Sequence, residues 1–307
     1  MSGPRIPAPG AHGGDGARIA AALGVPAAAV LDLSASLNPV APDVSAVVTR
    51  HLDALARYPD PTTATAALAE RLGVDPARLL LTNGGAEAIA LVGPELGGQV
   101  DEPDFSLYPR RPAADGTTAR WRSNPHSPSG HLAPDDADAE VWDEAFWPLA
   151  TGTWTRGDAE RGSVVVGSLT KLLACPGLRV GYVLVPDDRV DLLARLRDRQ
   201  PAWSVNGLVC DALPELLDAV DLPAWSAEVA RLRAALVEVL VAHDLKVDAA
   251  DAPWVLVADV PHLRGRLARE AIAVRDCSSF GQAGTVRVAV PSDAGRQRLA
   301  AALEAVR

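Results

Sequence analysis

The sequence predicts an α/β protein with a mostly parallel central sheet that is sandwiched by helices. Between residues 78 and 185, short apolar runs alternate with helical patterns, which is typical of such a sheet. Residues 163–167 are β-branched and bounded by glycines, as expected of a buried strand. A chain of 307 residues, 48% of them hydrophobic, is large enough for one main core and a smaller second core.

Apolar spacing, helix caps and helix breakers predict the individual elements. An extended arm rich in Gly and Pro is predicted for residues 1–16. Helices are predicted for residues 17–23, 41–55, 62–72, 187–199 and 293–306, and within the helix-rich run 211–243. Strands are predicted for residues 78–82, 254–258 and 286–290.

Composition and charge argue against several classes of function. The net charge of −10 and the scattered arginines leave no basic surface of the kind that binds nucleic acid. No apolar run approaches the roughly 18 residues of a membrane-spanning helix, and the N-terminus does not resemble a signal peptide. We therefore expect a cytoplasmic protein with neither nucleic acid nor membrane as a partner. The three cysteines are far apart, which indicates reduced thiols and no metal site.

Lys171 is the strongest catalytic candidate, because it closes the segment Ser168-Leu-Thr170-Lys171 at the end of a buried strand, where ligands bind in open α/β sheets. Burial at such a position lowers the pKa of a lysine and makes its amine a nucleophile for a carbonyl. The hydroxyls of Ser168 and Thr170 and the guanidinium of Arg179 would hold a phosphate. The alternative is a surface lysine after a core strand. The only other lysine, Lys246, lies in a polar stretch.

A second anion site is predicted at residues 83–87, Asn-Gly-Gly-Ala-Glu, where a strand turns into a helix. Free backbone N–H groups and the helix dipole attract anions at such a turn. The Gly-Gly turn is a weak signal by itself, since most turns of this kind bind nothing.

Segments 168–171 and 177–182 together resemble the Schiff-base lysine motif of fold-type I pyridoxal phosphate enzymes, S-x-(S/T)-K followed by G-L-R-x-G-Y. The resemblance implies that pyridoxal 5'-phosphate forms a Schiff base with Lys171. It also implies a smaller α+β domain formed from both chain ends. The expected organisation is an arm and part of the small domain at residues 1–44, a large cofactor-binding domain at 45–200, and the rest of the small domain at 201–307. The residues implied to hold the cofactor phosphate are Gly85, Ala86, Ser168, Thr170 and Arg179.

The same resemblance assigns the residues around the cofactor ring. Residues 141–146 are similar to the family segment D-E-A-(Y/F), so Asp143 would pair with the pyridinium nitrogen. The ring needs such a carboxylate to keep its nitrogen protonated. Phe105 matches the aromatic residue that stacks on the ring. Ser127 stands where the family usually has the asparagine that bonds the phenolic oxygen, and Phe146 replaces a tyrosine that often supports that oxygen.

The substrate side of the site is also implied by resemblance. Arg287 matches the arginine that binds a substrate α-carboxylate. Asn38 matches the N-x-N-P turn that closes over the substrate, and His12, in a Gly-rich arm, resembles a substrate contact. Pro291 replaces an arginine that helps decarboxylase-like relatives to bind a substrate phosphate, so Arg275 is the remaining anion contact.

Tyr58, in the segment Tyr-Pro-Asp-Pro, resembles a tyrosine that reaches the cofactor phosphate of the neighbouring subunit. The resemblance therefore implies a homodimer with a shared active site.

Residues 12–15 and 31–39 are most similar to the branch that contains threonine-phosphate decarboxylase and cobalamin-pathway aminotransferases, with histidinol-phosphate aminotransferase nearby. The leading hypothesis is a pyridoxal phosphate-dependent aminotransferase for a small amino acid, which can be a phosphorylated one. The first alternative is a decarboxylase of the threonine-phosphate type. The second is a degenerate, non-catalytic family member.

Overall fold

The computed structural model describes residues 5–306, and in this part of the chain 11 strands form two sheets. The larger sheet contains β2 (Leu79–Asn83), β3 (Gln99–Val100), β4 (Arg120–Ser123), β5 (Val141–Asp143), β6 (Val164–Ser168) and β7 (Val180–Leu184). The smaller sheet contains β1 (Leu31–Leu33), β8 (Lys246–Ala249), β9 (Trp254–Ala258), β10 (Ile272–Asp276) and β11 (Val286–Ala289).

The α-helices of residues 5–306 pack against these two sheets or against one another, and none of them has the length and apolar character needed to cross a membrane. They are α1 (Gly16–Leu23), α2 (Ser45–Arg50), α3 (Thr62–Leu72), α4 (Gly84–Leu96), α5 (Trp147–Thr151), α6 (Leu169–Leu172), α7 (Val190–Arg199), α8 (Gly207–Asp218), α9 (Leu222–Ala242), α10 (Leu263–Arg269) and α11 (Asp293–Ala305).

The larger sheet has the strand order β2-β7-β6-β5-β4-β3. Neighbours from β3 to β6 are parallel, whereas β7 is antiparallel to both β6 and β2, so only β7 runs against the common direction. The mostly parallel sheet that the sequence predicts is therefore confirmed. Because β2, β5 and β6 run the same way, their carboxyl ends meet at one edge of the sheet.

Helices cover both faces of this sheet, because successive side chains of a strand point to opposite faces. On β7, Tyr182 and Leu184 belong to a core cluster shared with α3 and α8, whereas Val183 belongs to a second cluster shared with α4 and α7. Both faces are thus buried, as expected for parallel strands made almost wholly of apolar residues.

The smaller sheet has the order β1-β10-β11-β9-β8 and joins the two ends of the chain. Strand β1 pairs in parallel with β10, from near the C-terminus, and the remaining pairs are antiparallel. A separate core cluster lies between this sheet and residues of α9, α10 and α11. The smaller α+β unit formed from both chain ends is therefore confirmed.

Helix α9 passes from one unit to the other. Its residue Val229 packs in the cluster of the larger sheet, whereas Leu232, Leu236 and Leu240 pack in the cluster of the smaller sheet. Helix α8 packs on α3 of the larger unit. The predicted domain boundaries at residues 44 and 200 stay predictions, and residues 1–4 of the first predicted segment lie outside the described residues. From this packing we propose that the second boundary falls near residue 230.

The structure corrects two predictions. The helix predicted at 41–55 is α2 followed by a 3₁₀ turn at Leu52–Ala56. The helix-rich run predicted at 211–243 contains α8 and α9, which are separate because Asp221 caps α9 and Pro223 occupies its first turn. The predicted alternation with helices fails between residues 97 and 146, where the crossovers are irregular. Prolines interrupt these crossovers repeatedly and cannot donate helical hydrogen bonds.

A buried ion pair ties the N-terminal arm to the smaller unit. Arg264 on α10 lies 3.0 Å from Asp15, and both side chains are less than one tenth exposed, at 9% and 8%. The same guanidinium donates to the carbonyl of Pro7 (3.0 Å), and Asp15 accepts from the backbone N–H of Gly10 (3.2 Å). The arm is therefore held against α10 by charged hydrogen bonds.

Arg264→Ala is expected to lower the free energy of unfolding by about 3 kcal/mol, because it leaves the Asp15 carboxylate buried without its main counter-charge. Arg18→Ala is the matched control, since Arg18 lies 3.2 Å from the same carboxylate but is 53% exposed. Its effect should stay below about 1 kcal/mol. Urea denaturation of the two variants measures the difference, and equal losses would contradict the assignment.

Candidate active site

A cavity of about 300 Å³ opens where the carboxyl ends of β2, β5 and β6 face β10 and β11. Two wider clefts of about 610 Å³ lie elsewhere and are lined by neither Lys171 nor Asp143. The cavity brings together every predicted site residue except Tyr58 and Asn38: His12, Gly85, Ala86, Phe105, Ser127, Asp143, Ser168, Thr170, Lys171, Arg179, Arg275 and Arg287.

Lys171 lies on the short helix α6, directly after β6, and its Nζ donates to the carbonyl of Ala35 at 2.9 Å. Burial first, and then the positive charges of Arg287, Arg179 and Arg275, together lower the pKa of Lys171 to about 8. A lysine amine with this pKa is partly neutral near pH 7 and is therefore a competent nucleophile. The other lysine of the chain is exposed and pairs with Asp259 at 2.5 Å, far from such an environment.

The predicted anion site forms at the N-terminus of α4. Gly84 has φ +75°, and a Cβ at this position would stand 2.2 Å from the guanidinium of Arg179. Glycine therefore lets Arg179 pass under the turn, where it donates to the carbonyl of Asn83 at 3.4 Å. The hydroxyls of Ser168 and Thr170 lie 2.7 Å apart, and a Cβ at Gly85 would stand 3.3 Å from the Cβ of Ser168, so they are next to the turn. Backbone N–H groups, two hydroxyls and a guanidinium around one point are a donor set that fits a phosphate.

Asp143 lies at the end of β5, on the cavity wall. Burial raises the pKa of Asp143 to about 6. Hydrogen bonds from the N–H of Ala145 and the hydroxyl of Tyr108, both at 2.9 Å, act in the opposite direction because they stabilise the charged form. Tyr108 was not predicted as a site residue. The available signal was its position three residues after Phe105, whose ring centroid lies 5.6 Å from that of Tyr108.

Phe105 and His12 face each other across the cavity wall. Their ring centroids are 5.6 Å apart at an interplanar angle of 57°. Burial, and then the charge of Arg275, lower the pKa of His12, so its imidazole is neutral near pH 7. The described part of the arm thus brings an aromatic, uncharged group to the cavity.

Arg275 and Arg287 face each other on neighbouring strands β10 and β11. They are buried, with 5% and 6% of their surface exposed, and among residues 5–306 neither forms an ion pair with a carboxylate. Arg275 donates to the carbonyl of Ala11 (3.0 Å) and the hydroxyl of Ser279 (3.3 Å). In both arginines Nε has no hydrogen-bond partner within the described structure. Two buried cations without a counter-charge form an anion-binding surface.

Tyr58 and Asn38 lie outside the cavity lining. Tyr58 is 75% exposed, and its ring stacks on that of Trp203 with centroids 4.5 Å apart. The Asn38 side chain donates to the carbonyl of Leu172 (2.9 Å) and accepts from the N–H of Val40 (3.1 Å). Asn38 therefore supports the backbone of α6 beside Lys171, and the substrate contact predicted for it stays a prediction.

Ser127 lies on the cavity wall in the segment between β4 and β5. Its N–H donates to the hydroxyl of Ser123 at 2.7 Å, and that hydroxyl donates to Asp104 at 2.5 Å. The residue that replaces the usual family asparagine is thus placed by its backbone, and its hydroxyl remains available to the cavity.

Comparison with known proteins identifies the family. Residues 122–305 match the model of the family Aminotransferase class I and II. The chain belongs to this family. It is 30% identical to a threonine-phosphate decarboxylase of Salmonella typhimurium over 96% of each chain. It is 27% identical to a histidinol-phosphate aminotransferase of Halorubrum lacusprofundi over 89% of this chain and 88% of the relative.

Solved structures of this family share the fold. The histidinol-phosphate aminotransferase of Clostridium acetobutylicum has a TM-score of 0.76 at 19% identity, over 90% of this chain and 99% of that structure. The L-threonine-O-3-phosphate decarboxylase of Porphyromonas gingivalis has a TM-score of 0.74 at 21% identity over the same shares. The fold class that the sequence predicts is confirmed, and so is its cofactor, pyridoxal 5'-phosphate, on which class I and II aminotransferases depend.

Two buried acids, Glu144 and Asp158, lie next to each other, and Glu144 directly follows Asp143 in the chain. Glu144 and Asp158 are 1% and 2% exposed. Burial, and then the negative charge of Asp158, raise the pKa of Glu144 to about 8. Asp158 is also close to Arg156 (3.6 Å) and Arg161 (3.4 Å), which keep it the more acidic partner. Glu144 therefore holds a proton at neutral pH.

This protonation makes stability depend on pH. The folded state binds the Glu144 proton up to about pH 8, whereas the unfolded chain releases it above its ordinary pKa of about 4.3, so stability falls as the pH rises between these values. Glu144→Gln should remove that slope and raise the melting temperature at pH 8 by roughly 2–4 °C. Melting curves from pH 5 to pH 8 test this, with the exposed Glu70→Gln as control. An unchanged slope would show that Glu144 is ionised in the folded protein.

Proposed function

We propose that this protein is a pyridoxal phosphate-dependent aminotransferase for a small amino acid that carries a second anionic group, such as a phosphate. The observation that carries the proposal is the position of Lys171, a buried amine of lowered pKa that lies between two separate anion sites. One site is the N-terminus of α4 with Arg179, and the other is the Arg275–Arg287 pair. The first suits the phosphate of the cofactor, and the second suits an anionic substrate.

The cofactor supplies an aldehyde for amines and an electron-withdrawing ring that stabilises negative charge at the substrate Cα. In this proposal Asp143 holds the ring nitrogen, Phe105 packs on the ring face, and Ser127 lies beside the phenolic oxygen. The phosphate is held at the N-terminus of α4 by the residues Gly85, Ala86, Ser168, Thr170 and Arg179.

The substrate is oriented by the arginine pair. We assign its α-carboxylate to Arg287, through two parallel N–H donors, and its second anionic group to Arg275, with His12 as a neutral neighbour. Lys171 would then take the proton from the substrate Cα as general base and, for aminotransfer, return it as general acid to the carbon on the other side of the amino nitrogen. A group with a pKa of about 8 can perform both transfers near neutral pH.

We further propose a homodimer in the cytoplasm, with Tyr58 contacting the cofactor phosphate of the partner subunit. The support for the dimer is the exposed Tyr58–Trp203 stack, together with two further exposed apolar side chains close to Tyr58 in the chain, Leu52 and Leu55.

Decarboxylation is the second candidate, because the relative that is 30% identical over 96% of the chain is a threonine-phosphate decarboxylase. That reaction releases CO2 from Cα in place of the proton, and it uses the same cofactor and arginines. The combined presence of Lys171, Asp143 and Arg179 in one cavity argues against the third hypothesis, a non-catalytic protein.

Incubation of the cofactor-loaded protein with O-phospho-L-threonine and 2-oxoglutarate distinguishes these candidates. Aminotransfer yields glutamate and a phosphorylated keto acid, whereas decarboxylation yields CO2 without consuming 2-oxoglutarate. L-threonine is the matched substrate without phosphate and should react at least about tenfold more slowly, because it lacks a charged hydrogen-bond partner. Neither product from any amino acid of a broad panel would contradict an enzymatic function.

Lys171→Ala is expected to lower turnover by about a thousandfold, since it removes the proton-transferring amine. Lys246→Ala is the matched control, because it removes the only other lysine, which is exposed. Borohydride reduction of the loaded protein should add the cofactor mass to the peptide containing residue 171 in the native protein and in Lys246→Ala. A labelled Lys246 would overturn the assignment.

Tyr108→Phe is expected to weaken cofactor binding about tenfold. The substitution removes the hydroxyl that donates to the Asp143 carboxylate, so the pKa of Asp143 rises further and less of it is charged. Ser163→Ala serves as control, because it removes a hydroxyl that donates to the carbonyl of Ala139, before the start of β6 and outside the cavity lining. The dissociation constant of pyridoxal 5'-phosphate, measured by absorbance on the cofactor-free protein, checks this. Equal affinities for the native protein and Tyr108→Phe would exclude the role of Tyr108.

A further inference from the structure

Arg287 contacts the ring of a tryptophan and, among residues 5–306, forms no ion pair with a carboxylate. The guanidinium lies over the ring of Trp254, with Cζ 4.5 Å from the ring centroid. The register explains this contact: Arg287 faces Leu256 across β11 and β9, and Trp254 lies two residues from Leu256, on the same face of the sheet. Trp254 is 1% exposed and does not line the cavity, so it contacts Arg287 on the side of the guanidinium that faces away from the cavity.

The other edges of Trp254 are fixed. Its Nε1 donates to the carbonyl of Pro128 at 2.8 Å, and Phe146 packs edge-on against it, with centroids 4.7 Å apart at 76°. Pro128 directly follows Ser127, and Phe146 lies three residues after Asp143. Trp254 therefore joins a strand of the smaller sheet to two segments of the larger unit that line the cavity.

We propose that Trp254 is a positioning residue for the substrate carboxylate, which acts by orienting Arg287 without neutralising it. This inference rests on the proposed function, because it concerns the arginine that the function uses. A carboxylate in place of the indole would occupy the same N–H donors that the substrate needs. An aromatic face attracts the cation from above the guanidinium plane and leaves the N–H groups at the plane's edge free.

The arrangement also fits the electrostatics of the site. Burial and the charge of Arg275 both lower the pKa of Arg287 from its ordinary value, so the cation is destabilised before an anion binds. The ring quadrupole of Trp254 offsets part of this cost. Since Nε of Arg287 has no hydrogen-bond partner within the described structure, the indole is the main contact that fixes its orientation.

Two variants separate the ring face from the indole N–H. Trp254→Phe keeps an aromatic face and loses the hydrogen bond to Pro128, whereas Trp254→Met loses both but keeps apolar bulk. The probe is 3-phosphonopropionate, which carries a carboxylate and a phosphonate but no amine to react with the cofactor. Its dissociation constant is measured by calorimetry on the cofactor-loaded protein.

We expect Trp254→Met to weaken probe binding about tenfold and Trp254→Phe to weaken it less than about threefold, which is the range of a desolvated cation–π contact. The Michaelis constant for the amino acid substrate should follow the same order, with little change in kcat. Trp225→Met removes an indole from the core cluster of the larger sheet and should leave probe binding unchanged.

Equal probe binding by the Phe and Met variants would overturn the proposal, as would weakening in the Trp225 control to the same extent. Failure of the native protein to bind the probe would contradict the anion site itself. Cofactor absorbance is recorded for each variant, so loss of the cofactor is distinguished from loss of substrate orientation. A native protein that binds the probe but catalyses no reaction would refute the proposed function while leaving the role of Trp254 measurable.

Discussion

The arrangement of this protein depends on positive charge that is buried around one amine. The chain as a whole carries a net charge of −10, yet Arg179, Arg275 and Arg287 all lower the pKa of Lys171 within one cavity. Positive charges repel one another strongly where little water screens them, and bound anions offset this repulsion. The cavity is therefore suited to a ligand set with two negative groups, one at each end.

Sheet geometry makes this concentration possible. The larger sheet brings Asp143 and Lys171 to its edge, because β5 and β6 are adjacent and parallel. The smaller sheet supplies Arg275 and Arg287 from a neighbouring antiparallel pair. The site lies between the two units, so its dimensions depend on how the units are joined, and contacts such as that of Trp254 with Pro128 acquire a role beyond packing.

Three residues depart from the usual family pattern, and two of them, Ser127 and Phe146, line the cavity. Ser127 and Phe146 replace an asparagine and a tyrosine near the phenolic oxygen, and Phe146 packs on Trp254. Pro291 replaces an arginine, but Arg275 remains on the cavity wall. The residues predicted to hold the phosphate, among them Gly85, Ser168, Thr170 and Arg179, match the family pattern. In the proposed function, the departures therefore fall where the ring oxygen and the substrate would bind.

The sequence by itself determined the sheet type, the helix α3 and the strand at Trp254–Ala258, because these follow from local periodicity and caps. Its motif spacing predicts Lys171 as the reactive lysine. It did not determine β10, which pairs with β1 from the other end of the chain, or β8, a mostly exposed strand at the edge of the smaller sheet. Nor did it determine the irregular crossovers between residues 97 and 146. Tyr108 and Trp254 were also beyond it. Their roles depend on contacts with Asp143 and Arg287, which only the tertiary structure brings within hydrogen-bonding or stacking distance, because these partners lie 35 and 33 residues away in the chain.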